Sequence, residues 1–203
     1  MKNENHWSDV YQKKAFDSVS WYQPSPKPSL AAIEKLNIRN SVSIIDVGGG
    51  ASTFVDHLIG RGWTDVTVLD IAAPALEVAK SRIGGSAAAV KWEVADITQW
   101  QPKRMFDVWH DRAVFHFLTD ADHRQAYLRV LQAALAKNGA VVMATFAMDG
   151  PEKCSGLPIE RYDPPKLAHE LGRDFKLLES WREQHITPGG NIQSFNWCIF
   201  RRI

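Results

Sequence analysis

The sequence has little that would tie it to a membrane, a nucleic acid or an oxidising compartment. Cysteine occurs twice in 203 residues, as Cys154 and Cys198, which makes no disulfide framework, so a reducing cytoplasm is the expected setting. No apolar run approaches the roughly 20 residues that cross a bilayer. The stretch from Met1 to His6 is polar and has no apolar core of the secretory kind. Lysine and arginine number 24 against 23 acids, for a net charge of +1, so no basic field points to nucleic acid or anionic lipid. No His, Cys and acid set has metal-ligand spacing, so no metal is expected. Internal repeats and low-complexity segments are also missing. What is present is the composition of an ordinary globular domain, 45% hydrophobic and 23% charged. It is enough for one domain over 1–203 with a sizeable core. Of eight tryptophans, Trp63, Trp92, Trp109, Trp181 and Trp197 fall in or beside strand-like runs and read as core. Trp7 and Trp21 fall in a poorly periodic leader.

That leader spans residues 1–28 and ends in Pro24-Ser25-Pro26-Lys27-Pro28, which breaks a helix and favours an extended path. Ser29 is a candidate cap for a helix through about Leu36. Strand and helix patterns then alternate: strand 42–47, helix 52–60, strand 66–70, helix 74–82, strands 90–95 and 106–110, helix 122–136, strand 140–146. Alternation of this kind predicts a mostly parallel sheet with helices on both faces, a three-layer Rossmann-like α/β sandwich. The end of the chain departs from it. Phe175 to Ile186 and Ile192 to Arg202 are two strand-like runs around Thr187-Pro188-Gly189-Gly190-Asn191. Their connection is too short for a crossover helix, so they pair antiparallel and bring the sheet to seven strands.

The most informative run is Ile44-Ile45-Asp46-Val47-Gly48-Gly49-Gly50-Ala51-Ser52. It reads as a buried strand, a tight glycine turn and a helix start. Glycine allows positive φ and close approach of a ligand to the main chain, and the first helical amides point at whatever lies above the turn. Three further apolar runs end in or next to acids or a histidine. Val66-Thr67-Val68-Leu69 leads to Asp70, Val90-Lys91-Trp92-Glu93-Val94-Ala95 to Asp96 and Ile97, and Phe106-Asp107-Val108-Trp109 to His110 and Asp111. In an open α/β sheet these strand ends converge on one crevice, a nucleotide or cofactor site. An acid about 20 residues past the glycines suits a ribose diol, because a carboxylate accepts two hydroxyl hydrogen bonds.

Asp46-Val47-Gly48-Gly49-Gly50, with the acid two residues before the first glycine, resembles motif I of the class I S-adenosylmethionine (SAM)-dependent methyltransferases. Ser52 stands at that family's third glycine position. Asp111 to Leu118 resembles motif IV, and Lys137-Asn138-Gly139-Ala140 with the following apolar run resembles the turn into the fifth strand. These motifs cover roughly 40–148 in the family's order. The stretch from Asp111 to Asp163 looks like small bacterial methyltransferases, and His6-Trp7 through Tyr22 is distantly similar to the openings of some protein-lysine methyltransferases. The resemblance implies SAM as cofactor, S-adenosylhomocysteine as product and transfer to a small-molecule acceptor. The alternatives are protein-lysine N-methylation, a SAM-binding module without turnover, and, most remotely, an NAD-dependent oxidoreductase. It implies a cofactor set of Asp46, Gly48, Gly49, Gly50, Ser52, Asp70, Ile71, Asp96, Ile97, His110 and Asp111. Asp96 and Ile97 would serve the adenine, and His110 and Asp111 would border the methionine part.

Methyl transfer from a sulfonium asks mainly for alignment, and a base is needed only where the acceptor must lose a proton. Candidates near the crevice are His110, Asp111, Arg112 and His116. His110 serves through its carbonyl or its ring. Asp111 and Arg112 anchor substrate or the SAM tail, or pair with each other. His116, between Phe115 and Phe117, is structural or a base. The Gly/Pro-rich stretch from Ala147 to Pro158 reads as a lid or substrate wall. It holds Cys154, inert or facing a thiol or metalloid substrate. Asp163 and Pro164 read as the start of the next helix. In the leader, Trp7, Tyr11, Trp21 and Tyr22 either roof the cofactor, since aromatic faces attract a sulfonium or ammonium, or pack on the sheet edge. Oligomeric state leaves no mark in the sequence.

Overall fold

A computed structural model describes residues 2–203, with side chains from Asn5 onward; Met1, the first residue of the leader, lies outside the described residues. The leader carries α1 (Lys2–Lys13), and the chain continues through α2 (Lys27–Lys35), β1 (Ile44–Val47), α3 (Phe54–Gly60), β2 (Val66–Asp70), α4 (Ala73–Ile83), β3 (Val90–Val94) and β4 (Phe106–Arg112). Then come α5 (Ala121–Ala134), β5 (Leu135–Phe146), a small hairpin of β6 (Lys153–Cys154) and β7 (Leu157–Pro158), α6 (Pro164–Leu171), β8 (Phe175–Ile186) and β9 (Ile192–Arg202). Seven strands form one sheet in the order β3-β2-β1-β4-β5-β9-β8. The first five run parallel. Strand β9 enters antiparallel to both β5 and β8, which is the closing hairpin that the short Thr187–Asn191 turn demands.

Period-two alternation along the strands divides the core into two. Ile44, Val66, Val68 and Val108 face a layer built from α2, α3 and α4. Ile45, Val47, Leu69 and Trp109 face α5 and α6. Burial on both faces is why these short strands read as nearly unbroken apolar runs. The alternation also decides the site, because Asp46, Asp70, His110 and Arg112 share the parity of the first set and Asp111 that of the second.

Several boundaries differ from the sequence pattern. Strand β1 starts at Ile44 rather than 42, and β4 continues to Arg112. Helix α5 stops at Ala134 and the chain is already extended at Leu135, which is fully buried and pairs with Phe106. A register shift then accommodates the excursion before Ala140, with Asn138 at φ +61°. Ser29 is not a cap. Pro28 suits the first turn, so α2 begins at Lys27, and Ser29 lies inside it, buried against the sheet. The sequence reading of α6 holds: the Asp163 carboxylate accepts from the Lys166 N–H at 2.8 Å, with Pro164 first in the helix.

The leader is pinned to the body. Helix α1 packs on α4. The Trp21 carbonyl accepts from Arg112 Nη1 at 3.0 Å, the Gln23 carbonyl from Thr53 Oγ1 at 3.2 Å, and the Ser20 carbonyl from His185 Nε2 at 2.8 Å. Gln23 Nε2 donates to Glu183 at 3.0 Å. The segment therefore bridges from α3 to the edge strand β8. Among the described residues, no helix is long and apolar enough to cross a membrane.

Candidate active site

The strand order reverses between β1 and β4, and the crevice opens there. Gly48 leaves β1 at φ +67°, with its N–H held by the Leu69 carbonyl at 2.7 Å. A Cβ at this position would meet Val114 Cγ2 at 2.0 Å. Gly50, at φ +45°, has no room either: its Cβ would lie 2.9 Å from Asp70 Oδ2 and 3.1 Å from the Tyr11 hydroxyl. The turn is closed by Ser52, whose Oγ accepts from the Phe54 N–H at 3.1 Å. The glycine cradle is thus packed against motif IV on one side and the leader on the other.

Two connected chambers lie over it. The larger, about 160 Å³, is lined by Gly48, Asp70, Ile71, Asp96 and Ile97 below, and by Trp7, Tyr11 and Trp21 of the leader above. Arg112, Phe117 and Cys154 complete its wall. The smaller, about 50 Å³, is lined by Asp46, Gly49, Ser52, His110 and Ser29, with Tyr22 on the leader side. Tyr11, Trp21, Gly48 and Arg112 belong to both walls, so the chambers meet at these residues. Leader aromatics make edge-to-face contacts across the roof, Trp7 with Trp21 at 5.5 Å and with Phe117 at 5.1 Å. Trp21 Nε1 donates to the Tyr11 hydroxyl at 3.2 Å.

Asp70 sits at the end of β2, and its Oδ1 accepts from the Ala72 N–H at 2.7 Å. Burial pushes its pKa up to about 7, and the nearby Asp46 charge adds to the rise, against backbone hydrogen bonds from Ala72, Gly50 and Ile71. Asp96 follows β3. Its Oδ1 accepts from the N–H and hydroxyl of Thr98 at 2.9 and 2.7 Å, an Asx turn that fixes the carboxylate at the chamber wall.

Asp46 and His110 point into the smaller chamber as a bonded pair. His110 Nδ1 lies 2.7 Å from Asp46 Oδ1, and its Nε2 lies 3.0 Å from Ser29 Oγ. A carboxylate only accepts, so Nδ1–H donates to Asp46 and, in the neutral ring, Nε2 takes the Ser29 proton. Asp111 points the other way. Its carboxylate accepts from the Val114 N–H at 2.8 Å, the Phe115 N–H at 3.2 Å and the Tyr127 hydroxyl at 2.5 Å, and Tyr127 in turn accepts from Trp109 Nε1 at 2.8 Å. Asp111 lines neither chamber. It ties the β4 end to α5, and burial raises its pKa to about 6. Asp111 and Arg112 do not pair, because adjacent strand residues face opposite sides of the sheet.

His116 is fully buried behind the chamber, with Nδ1 accepting from the Phe146 N–H at 3.4 Å and its ring 4.8 Å from Phe146. Burial, then the Arg112 charge, lower its pKa to about 3. Cys154 borders the larger chamber, and burial raises its thiol to about 12. At neutral pH the histidine is uncharged and the thiol protonated. Sequence reasoning did not single out Ala113, Val114, Phe117, Leu118, Thr98 and His123, all of which line the larger chamber. The parity of Arg112 and the positive φ of Ala113, +71°, turn the chain after β4 across its mouth. No residue-type signal marks such a turn. Among the described residues, no group of three or more His, Cys or acidic side chains is placed to hold a metal ion.

The family described as a methyltransferase domain matches residues 44–139. No curated protein matches the sequence. Solved structures with the same fold include a SAM-dependent methyltransferase from Anabaena variabilis, 14% identical, with a TM-score of 0.74 over 100% of this chain and 96% of that one. The 1,6-didemethyltoxoflavin-N1-methyltransferase of Burkholderia thailandensis, solved with 1,6-didemethyltoxoflavin and S-adenosylhomocysteine, is 19% identical, with a TM-score of 0.71 over 99% of this chain and 84% of that one. The N-methyltransferase NodS of Bradyrhizobium japonicum, solved with S-adenosylhomocysteine, is 17% identical, with a TM-score of 0.70 over 96% and 97%. At these identities the structures speak for the fold, and the domain match speaks for residues 44–139. The acid-and-glycine turn, the reversal of strand order beside it, the antiparallel β9 and the domain match agree: residues 44–139 match a methyltransferase domain, set in the fold shared by SAM-dependent methyltransferases.

Proposed function

We propose that this enzyme uses SAM to methylate a small molecule held under the leader. The observation that carries the reading is the pair of chambers that share Tyr11, Trp21, Gly48 and Arg112, with Asp70, Asp96 and Ile97 on the wall of the larger and the glycine cradle between them. The residues fit the cofactor. Asp70 has a buried carboxylate facing the chamber for a ribose diol, Asp96 and Ile97 border an adenine-sized space, and a Cβ at Gly48 or Gly50 would fill the cradle. Asp46, Gly49, Ser52 and His110 surround the smaller chamber, where the amino-acid tail would lie. When bound, the cofactor supplies an electrophilic methyl group on a good leaving group.

The chain's own part is alignment and exclusion of water. Trp7, Trp21 and Phe117 close the roof, and Gly48 lets the backbone approach the reacting end. Asp70, at about 7, sits at the ribose end of the larger chamber, and the other groups with shifted pKa supply the chamber no base near neutral pH. Cys154 is held at about 12, the Tyr11 hydroxyl is pushed well up by burial, and His116, at about 3, lies behind the wall. This favours an acceptor that is already nucleophilic at neutral pH. A chamber roofed by leader aromatics with a cation in its wall speaks against an acidic groove for a protein lysine, and its contact with the glycine turn speaks against a module without turnover. We read residues 1–203 as one domain in which 1–28 is the cap, and the two free thiols as fitting a reducing cytoplasm.

The test is calorimetric titration with SAM, S-adenosylhomocysteine and NAD in parallel. Micromolar binding of the two adenosyl ligands with no heat from NAD is expected. NAD binding alone would overturn the reading.

A further inference from the structure

Arg112, which lines both chambers, has two buried donors without an acceptor in the protein. Arg112 Nη1 donates to the Trp21 carbonyl at 3.0 Å, but its Nε and Nη2 are buried and have no acceptor in the protein. These two atoms form one edge of the guanidinium, the edge whose parallel N–H groups match the two oxygens of a carboxylate. The acids near enough to act on it are otherwise engaged. Asp46 accepts from His110, and Glu183 accepts from Gln23 Nε2 at 3.0 Å and from Trp197 Nε1 at 2.6 Å. The Arg112 head lies 5.0 Å from the centre of the Phe195 ring, a cation–π contact. Around it, His116 and His185 are held neutral by burial and by the Arg112 charge, and Cys154 is protonated. A buried cation without a counter-ion is costly, and a bidentate anion would offset that cost.

We infer that Arg112 is the anchor for a carboxylate on the methyl acceptor, so that the substrates of this enzyme are small organic acids. The inference rests on the proposed methyltransferase reading for the identity of the neighbouring chamber. A carboxylate could also come from the amino-acid tail of the cofactor. Cys154, on the β6–β7 hairpin, is near enough to act on Arg112 and lines the larger chamber but not the smaller one around the glycine turn. That placement assigns the edge to the acceptor.

The experiment uses the full chain. Affinities for S-adenosylhomocysteine and for 5′-deoxy-5′-methylthioadenosine, which lacks the amino-acid carboxylate, are measured on the parent and on Arg112→Gln. Benzoate and benzamide are then titrated into the S-adenosylhomocysteine-loaded parent while the Arg112 Nε–H signal is followed by NMR. Benzoate should shift that signal saturably and bind at least tenfold tighter than benzamide. Arg112→Gln should erase the difference and leave S-adenosylhomocysteine affinity within threefold. Equal behaviour of benzoate and benzamide on the parent overturns the inference without reference to the variant. So does a tenfold or greater loss of S-adenosylhomocysteine affinity in Arg112→Gln with methylthioadenosine unchanged, because the edge then serves the cofactor tail. Failure of the nucleosides to bind at all would instead overturn the methyltransferase reading, and benzoate titrated into the free protein would still test the anchor.

Discussion

Asp111 and Arg112 are neighbours in sequence and opposites in the structure. Asp111 is fully buried, and its carboxylate is met by two backbone N–H groups and a tyrosine hydroxyl. Arg112 keeps two buried donors without acceptors at the junction of two chambers. The same contrast separates whole regions. On the α5 side of the sheet, polar groups such as Tyr127 and Trp109 satisfy one another and act as struts. On the leader side, polar groups line empty space. Buried polar groups that the protein itself satisfies hold the fold, and one left over on a chamber wall, as at Arg112, points to a ligand.

The largest expected effect would fall on the strut side. Asp111→Ala removes the acceptor for Tyr127 and for the first amides after β4, leaving buried donors unpaired. A loss of about 3–5 kcal/mol is expected in urea unfolding, the scale of breaking a buried charged hydrogen-bond set. Any refolded fraction should bind S-adenosylhomocysteine with unchanged affinity. A stable Asp111→Ala protein that fails to bind would break the comparison, since Asp111 would then be a ligand-facing group.

Asp70→Ala should do the reverse. Stability at pH 7 should not fall, because the parent there carries the cost of the buried carboxylate, whereas S-adenosylhomocysteine affinity should fall by about 1–3 kcal/mol, the worth of hydrogen bonds to a charged acceptor. Its pH dependence adds a second signature. The folded carboxyl titrates near 7, well above its ordinary value of 3.8. The folded form therefore holds a proton that the unfolded form has released between those two values. The stability contributed by this group is fully present below the lower value and lost as pH rises through about 7. Asp70→Asn should lack that decline in a series of melts from pH 5 to 8. The ribose hydroxyls need a carboxylate as acceptor, so ligand affinity should rise over the same interval in the parent and stay flat in Asp70→Asn. Calorimetry in two buffers of different ionisation enthalpy should show proton release on binding. Binding that is flat with pH in the parent would remove Asp70 from the diol site.

Much of this was legible beforehand, and the limits have physical causes. The strand ends Gly48, Asp70 and Asp96 could be placed on one crevice because a buried parallel sheet leaves short apolar runs that end where ligands bind. The antiparallel hairpin followed from a connection too short for a helix. What the motif could not show was which way each side chain in the segment after β4 points, although the alternation of Val108, Trp109, His110, Asp111 and Arg112 carries that information once one inward residue is known. The lining residues Ala113, Val114, Phe117 and Leu118 depend on a positive-φ alanine, and no local propensity announces it. The interior position of Ser29 escaped because serine before a helical run reads as a cap, while Pro28 moved the helix start upstream.

Ser29 also gives the finest test of the contrast. It lies inside α2, buried, with its Oγ 3.0 Å from His110 Nε2, and His110 is bonded to the acid that opens the glycine turn. This chain of Ser29, His110 and Asp46 has satisfied partners, as a strut does, yet it lines the smaller chamber. If it is only a strut, Ser29→Ala should cost about 1 kcal/mol in unfolding, one neutral hydrogen bond, with ligand affinity unchanged. If the chain sets the position of the glycine turn, the variant should also weaken S-adenosylhomocysteine by about threefold to tenfold, with methylthioadenosine weakened less, because on the proposed placement only the former would fill the chamber that His110 borders. Equal loss for both ligands would place the effect on the turn as a whole rather than on the tail. The Asp46–His110 pair would then join Asp111 as part of the frame.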